Sequence, residues 1–186
     1  MIGELPTSLE VAGKSYAIRT DYRDVLNIIL AFQDPELEAT EKLFVCLYVL
    51  YKNFDGLKAE QYEEAYNRAV WFLDCGDEPS EKQKSARVMD WEQDAKIIFP
   101  AINSVAGFEV RSRKYIHWWT FMSYFMEIHE GTFSEVLSLR QKKAKGKKLE
   151  KWEREFWSSN KDLCVLRQKL TEEEKQQKEA LEKLLS

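Results

Sequence analysis

The chain has 186 residues, a formal net charge of −4, 44% apolar residues and 32% charged residues. This composition is typical of a folded globular protein and excludes wholesale disorder. No segment approaches the ~20 consecutive apolar residues of a membrane-spanning helix, and the first residues lack the features of a signal peptide. We therefore expect a cytoplasmic protein without a membrane partner.

The sequence offers little for metal or redox chemistry. Cys46, Cys75 and Cys164 lie far apart, outside any CxxC pair and in or beside apolar helical runs, which favours buried thiols. His117 and His129 are twelve residues apart, so they cannot share one metal ion with the i,i+4 spacing of a helical site. We interpret His117, beside Trp118, as a partly buried hydrogen-bonding histidine and not as a catalytic base, since a tuned base usually has partner residues. We predict no catalytic residues, no metal and no cofactor.

The first predicted element is a β-hairpin around Gly13-Lys14. Four apolar residues alternate there with polar or small ones, namely Leu9, Val11, Tyr16 and Ile18. A two-residue turn at Gly13-Lys14 would place Val11 opposite Tyr16 and Leu9 opposite Ile18, so that one side of the hairpin is apolar.

Three amphipathic helices are predicted next. The first begins after Thr20-Asp21, the second begins at Asp34-Pro35 and includes Leu37, and the third ends at Cys75-Gly76. We assign residues 1–75 to one N-terminal part made of the hairpin and these helices. Residues 76–88 are polar and contain a proline, which predicts a linker or loop.

Residues 89–140 predict a second helical part with helices from about Asp90 to Asn103, Ile116 to Glu130 and Thr132 to Lys143. We interpret its three opening acids (Asp90, Glu92 and Asp94) as a helix start that suits the helix dipole, not as a metal site.

Residues 141–186 predict a charged helical tail. It has a helix around Trp152–Trp157 and a last helix that begins with the capping box Thr171-Glu172-Glu173-Glu174. The predicted fold class is mainly α: a helical bundle with a short N-terminal β-hairpin and an extended basic and helical C-terminal tail.

Two apolar patterns allow more than one use. The predicted helix after His117 carries Trp118, Phe121, Met122, Phe125 and Met126, which suit a core and also suit an interface for apolar helices. The terminal helix carries a narrow seam that can dock on the body, self-associate or bind a partner, formed by Ala180, Leu181, Leu184 and Leu185.

The charge is unevenly distributed. Residues 1–139 contain 14 Lys+Arg and 23 Asp+Glu, a net of −9, and residues 140–186 contain 14 and 9, a net of +5. The basic run suits nucleic acid, but Glu150, Glu153 and Glu155 interrupt it and the acidic body repels a polyanion. We therefore favour a solvated connector and consider nucleic acid an unlikely partner.

Five motifs follow one another in the chain: Leu5-Pro6 with the hairpin, Ile18 to Arg23, Asp90 to Phe99, His117-Trp118-Trp119 with Phe121, and Leu139-Arg140. Together they resemble a family of small phage proteins encoded just ahead of the tape-measure gene in long-tailed phages of Gram-positive bacteria. Phe108-Glu109-Val110 stands where members often have isoleucine-aspartate-leucine, which keeps the acid.

The resemblance implies a non-enzymatic tail assembly chaperone in the host cytoplasm, absent from the mature virion. It would bind and solubilise the tape-measure protein and help recruit the tail-tube protein. Self-association is a further option. Two alternatives stay open: a small structural virion component, and a nucleic-acid-associated factor acting through residues 140–157.

On this hypothesis, tape-measure helices lie in a groove between the helices of residues 22–73 and the helix after His117. The predicted partner-binding residues are Trp118, Trp119, Phe121, Met122, Phe125, Tyr62 and Tyr66. Residues after Gln141 would contact tube subunits or neighbouring copies, with tail contacts at Arg140, Lys147, Lys148 and Trp152.

Overall fold

A computed structural model describes residues 3–77 and 86–185 of the chain. Over these residues the fold is mainly helical with one two-stranded antiparallel sheet, as predicted. In chain order the elements are β1 (Ser8–Val11), β2 (Lys14–Ala17), α1 (Tyr22–Phe32), α2 (Ala39–Leu50), α3 (Tyr62–Leu73), α4 (Ala95–Ala106), α5 (Trp118–Met126), α6 (Thr132–Ala144), α7 (Lys151–Ser159), α8 (Lys161–Cys164) and α9 (Glu172–Leu185). No helix within the described ranges is long and apolar enough to cross a membrane.

The hairpin turn lies one residue earlier than predicted. Val11 pairs with Lys14, so the two turn residues are Ala12 and Gly13, with φ of 49° and 72°. Two consecutive positive φ angles are the mark of the type I′ turn, whose twist matches that of the strands. The predicted turn at Gly13-Lys14 was therefore wrong.

The predicted apolar face of the hairpin is confirmed although its register was wrong. Leu9 lies opposite Tyr16, not opposite Ile18. Because side chains alternate with a period of two and the shift is even, the same four residues still share one side. All four are buried against the helices: Leu9, Val11, Tyr16 and Ile18.

Side-chain caps set where the helices begin. Asp21 accepts the backbone N–H of Arg23 and starts α1 as predicted. The second helix starts at Ala39 behind a capping box, so Asp34-Pro35 was the wrong start and Leu37 lies outside it.

The predicted helix start at Asp90 was also wrong. The Oδ1 atom of Asp90 accepts the backbone N–H groups of Glu92 and Gln93 and holds a separate turn, and α4 begins only at Ala95. Likewise α5 is shorter than predicted because His117 caps it and it ends at Met126.

Residues before position 78 and residues after position 85 pack into one apolar core. Tyr22 of α1 stacks on Phe121 of α5 with ring centroids 4.2 Å apart, and Phe72 of α3 belongs to the same cluster. A smaller cluster joins Val136, Leu139 and Cys164. The division into parts at 75 and 140 stays a prediction, and most of the proposed linker, residues 78–85, lies outside the described residues.

The capping box of the last helix is confirmed. Thr171 Oγ1 accepts the N–H of Glu174, and the Glu174 carboxylate accepts the N–H of Thr171. Ala180 and Leu181 of the predicted seam are exposed. The side chains of Leu184 and Leu185 lie outside the described residues.

Candidate partner-binding surface

Four aromatic residues form a partly exposed cluster, here called the ring surface: Phe44, Tyr48, Phe54 and Tyr62. Phe44 contacts Tyr62 edge-on at 5.6 Å between centroids, Phe54 stacks on Tyr62 at 5.7 Å, and Tyr48 meets Phe54 at 5.8 Å. Phe44 is 48% exposed and Tyr48 66% exposed. Since soluble proteins seldom leave contiguous apolar surface open without a use, this cluster is the leading candidate for a partner.

The sequence of α2 explains why these rings face outward. Residues 43–50 are all apolar, so the helix is apolar on every side. Cys46, Leu47 and Leu50 take the core side and are fully buried. Phe44 and Tyr48, one turn apart, are left on the opposite side.

Acidic residues lie beside the ring surface. Glu60 and Glu63 flank Tyr62 in sequence, at the start of α3, and both are exposed. Acids in the first turn suit the helix dipole, which gives them a structural role as well.

The predicted residues of α5 are divided between the core and partly buried positions. Trp118 is 1% exposed, and Phe121 is fully buried. The indole N–H of Trp118 donates to the Leu73 carbonyl and that of Trp119 to the Phe72 carbonyl, each at 2.9 Å. These bonds attach the start of α5 to the end of α3, so Trp118 and Phe121 present no surface to a partner in this conformation.

His117 holds this junction. The backbone N–H of Trp119 donates to His117 Nδ1 at 3.1 Å, so the ring proton lies on Nε2, which donates to the Pro6 carbonyl at 3.0 Å. The ring thus caps α5 and binds the segment before the hairpin. This agrees with the interpretation of His117 as a hydrogen-bonding residue, and the side chain is more buried than expected.

The remaining predicted partner-binding residues take part in separate ring contacts. Tyr66 meets Phe32 at 6.3 Å, Trp119 meets Trp71 at 5.5 Å, and Phe125 packs on Trp91. Among the described residues, no ring contact joins Tyr62 or Tyr66 to those of α5. Of the seven, Tyr62 alone belongs to the ring surface, while Met122 is half-buried on α5.

Arg140, a predicted tail contact, lies in the interior. It forms a bidentate ion pair with Asp94, with Nη1–Oδ2 at 2.7 Å and Nη2–Oδ1 at 2.8 Å. Three carbonyls accept its remaining N–H groups: Val88, Leu163 and Cys164. The side chain therefore joins α6 to the turn before α4 and to α8, and is not available to a partner.

The comparison with protein families gives a match over most of the chain. The sequence model of the family described as Bacteriophage Gp15 protein matches residues 1–166. The chain belongs to the Bacteriophage Gp15 protein family. No curated protein and no solved structure matches it. The ring surface lies inside the part matched to the Gp15 family, whereas α9 lies beyond it.

The other predicted tail contacts of this Gp15 family member are on the surface. Lys147 and Lys148 are exposed, and Trp152 is 57% exposed. Lys147 also borders a hollow of about 450 Å³ between the end of α6 and α7, lined by Lys143, Gly146, Lys147, Leu149, Arg154 and Trp157.

The thiols of this family member are poorly suited to nucleophilic chemistry. Burial raises the pKa of Cys46 to about 12. Burial, together with the neighbouring Asp74 and Asp77, raises the pKa of Cys75 to about 11. Both thiols are neutral at ordinary pH, and the thiolate is the reactive form. Across residues 3–77 and 86–185, no group of three or more His, Cys, Asp or Glu side chains is placed to hold a metal ion.

Sequence reasoning missed Phe44, Tyr48 and Phe54 as surface residues. The signal was present in residues 43–50, because an uninterrupted apolar helix near the surface must leave one side without a core. The choice of outward side depends on the packing of α1 and α3, which the sequence of α2 alone does not contain.

Proposed function

We propose that this Gp15 family member is a non-enzymatic tail assembly chaperone that binds apolar helical segments of the tape-measure protein and helps recruit tail-tube subunits. Membership of a phage protein family fits a structural or assembly role. The observation that carries the proposal is the exposed ring surface. Its role would be in the host cytoplasm, and the protein would be absent from the finished virion.

Aromatic rings suit a client made of long apolar helices. An amphipathic helix presents apolar side chains at i, i+3, i+4 and i+7, and Phe44 and Tyr48 offer two rings along one helix face to receive them. Aromatic side chains bury a large area at a low entropic cost and tolerate varied partners. Edge-on contacts with Phe54 and Tyr62 hold the rings in place before binding.

The half-buried residues of α5 have a supporting role in this proposal. Trp119, Met122 and Phe125 pack beside the core cluster, and Trp119 contacts Trp71 of α3. The exposed C-terminal residues Lys148 and Trp152 are the proposed contacts for tube subunits or neighbouring copies.

The test is co-expression of the chain with the protein encoded immediately downstream, followed by pull-down and size-exclusion with light scattering. We expect a soluble complex with several copies of this chain per downstream protein. A Phe44→Ser/Tyr48→Ser variant should lose the complex and keep its circular dichroism spectrum, because both side chains are largely outside the core.

Met126→Ser is the matched control, since Met126 is 63% exposed at the end of α5 and outside the ring surface. A complex that survives the double substitution would show that the rings do not bind the client. If the native chain forms no complex and the downstream protein stays insoluble, the chaperone proposal fails. Detection of the chain in purified particles would then favour a virion component.

A further inference from the structure

The hollow between α6 and α7 combines an apolar floor with a cationic rim. Leu149 and Trp157 form the floor, and the Lys143 ammonium lies 4.1 Å from the centroid of the Trp157 ring. Lys147 is exposed beside it, and Arg154 donates to the Leu149 carbonyl at 2.6 Å.

The cations of this rim differ from their neighbours in having no carboxylate. Arg140 pairs with Asp94, and Lys142 pairs with the buried Glu153. Among the residues that the structure describes, no acid lies within ion-pair distance of Lys143, Lys147 or Arg154. Three positive charges around an apolar floor suit a carboxylate carried next to an aromatic or apolar side chain.

Nucleic acid fits this hollow less well. A base needs an open aromatic face, whereas Lys143 already covers the ring of Trp157. Glu150 and Glu155 are exposed on the same helical segment and would repel a phosphate chain passing the hollow. A short acidic segment of a protein avoids both obstacles.

The chain itself carries such a segment at the edge of the ring surface. Glu60 and Glu63 are exposed on either side of Tyr62, and neither has a cation within ion-pair distance in the described part of the chain. In the fold, α3 packs on α2 and β1 whereas α7 packs on α8, so a chain does not fill its own hollow with this segment. The charges of the two regions are complementary, with a net of −9 over residues 1–139 and +5 over residues 140–186.

We propose that the hollow of one copy binds the Glu60–Glu63 edge of a second copy. Because the two surfaces differ, each copy offers one and receives the other, and the contact is head-to-tail. Carboxylates of Glu60 and Glu63 meet Lys147 and Arg154. This interaction does not depend on the identity of the client that the ring surface binds.

The test uses sedimentation velocity of the full chain at low salt with two charge-reversal variants. One is Lys147→Glu/Arg154→Glu in the hollow, and the other is Glu60→Lys/Glu63→Lys at the edge. We expect self-association of the native chain, weakened in either variant by about 100-fold, as for charge pairs at an interface. An equimolar mixture of the two variants should associate again, because the reversed charges match each other.

The control Lys96→Glu/Lys161→Glu changes the net charge as the hollow variant does, at two exposed lysines away from the hollow. It should associate like the native chain, and high salt should weaken the native contact. A native chain that stays monomeric, or a mixture that does not recover, overturns the proposal. Loss of binding to a DNA oligonucleotide in the hollow variant, with self-association unchanged, would overturn it in favour of nucleic acid. If the hollow variant does not fold, the edge variant alone still decides.

Discussion

At Arg140, all five guanidinium N–H groups have acceptors inside the protein. Two go to the Asp94 carboxylate and three to backbone carbonyls of Val88, Leu163 and Cys164. A charged side chain is tolerated in the interior only when it is paired and fully hydrogen-bonded. The ion pair thus gives α6, α8 and the turn before α4 one defined arrangement.

Substitution of Arg140 should expose this dependence. Arg140→Ala leaves the Asp94 carboxylate buried without its partner, and we expect the free energy of unfolding in urea to fall by about 3–5 kcal/mol. The double variant Arg140→Met/Asp94→Leu should recover much of that loss, because both charges of the buried pair are then removed. Lys148→Ala, at an exposed lysine of the same basic run, is the control and should change stability by less than ~0.5 kcal/mol. Equal stability of Arg140→Ala and the native chain would contradict this role.

His117 supports a second residue-scale prediction. His117→Ala removes both the acceptor for the Trp119 N–H and the bond to Pro6, and should cost about 1–2 kcal/mol of unfolding free energy. His117→Asn should retain most of the cap, because its side-chain oxygen also accepts that N–H. Urea titration monitored by circular dichroism measures both. If His117→Asn lowers the free energy of unfolding as much as His117→Ala, the hydrogen bond to the Trp119 N–H is not the source of the stabilisation.

These two residues mark how far sequence reasoning reaches at this scale. The interpretation of His117 as a hydrogen-bonding residue followed from its place beside Trp118 and from the absence of partner residues for a base. The partner of Arg140 did not, because Asp94 is 46 residues away and the sequence near Arg140 reads as an exposed basic run. The local sequence around a charged residue that forms a buried ion pair with a distant residue does not differ from that around an exposed one.

At the scale of elements, the hairpin turn holds Ala12 at φ 49°. A positive φ is unfavourable for alanine, and asparagine tolerates it better, particularly before glycine in a type I′ turn. Ala12→Asn should therefore raise the free energy of unfolding by roughly 0.5–1 kcal/mol. Gly13→Ala, at φ 72°, should lower it. Thermal unfolding of both variants tests the register, since a turn at Gly13-Lys14 would give no benefit at Ala12.

The segment between α8 and α9, here called the strap (residues 165–171), is held by polar contacts. The side-chain amide of Gln93 donates to the Val165 carbonyl at 2.7 Å and accepts the Arg167 N–H at 2.8 Å. The Lys169 Nζ atom lies 3.4 Å from Asp90 Oδ2 and 3.7 Å from Glu92 Oε2. Hydrogen bonds and ion pairs of this kind contribute little each, so the strap should open before the body unfolds.

Gln93→Ala removes both backbone contacts and should increase hydrogen exchange of residues 165–171 without changing that of α1–α3.

Acid should open the strap as well. Burial raises the pKa of Asp90, but a hydrogen bond from the Gln93 backbone N–H and the nearby charges of Lys169 and Arg87 together hold it below its ordinary 3.8. A carboxyl with a lowered pKa stabilises the fold above pH 3.8, and this contribution is lost as the pH falls through the folded-state pKa. Protection factors of the strap amides that stay constant from neutral pH down to below 3.8 would contradict the ion pair.

Element types were predictable from the sequence, and several boundaries were not. The spacing of apolar residues predicted α1 and α3, because their buried faces follow the helical period. The start at Ala95 depends on Asp90 closing a turn of its own, and the start at Ala39 depends on a Glu38–Glu41 capping box. Both signals involve side chains that equally suit the first turn of a longer helix.

At the scale of the whole molecule, one apolar core contains residues from both described ranges, 3–77 and 86–185. Tyr22 stacks on Phe121, and the indole of Trp118 is bonded to the end of α3. Elements before residue 78 and after residue 85 therefore bury each other's apolar surface. The sequence left open one core or two, because the polar segment 76–88 is compatible with a linker and with a loop over a single core.

This packing predicts that α1–α3 and α4–α5 unfold together. Trp118→Ala removes a buried ring between them, and should cost about 3–5 kcal/mol. If the core is shared, amide protection should fall by the same factor on both sides of the gap, and urea midpoints from circular dichroism and tryptophan fluorescence should stay coincident. Phe44→Ala, on the exposed ring surface, is the control and should shift the midpoint far less. Protection lost only in α4–α5, with α1–α3 unchanged, would instead mean that the two parts fold separately and that residues 76–88 connect two domains.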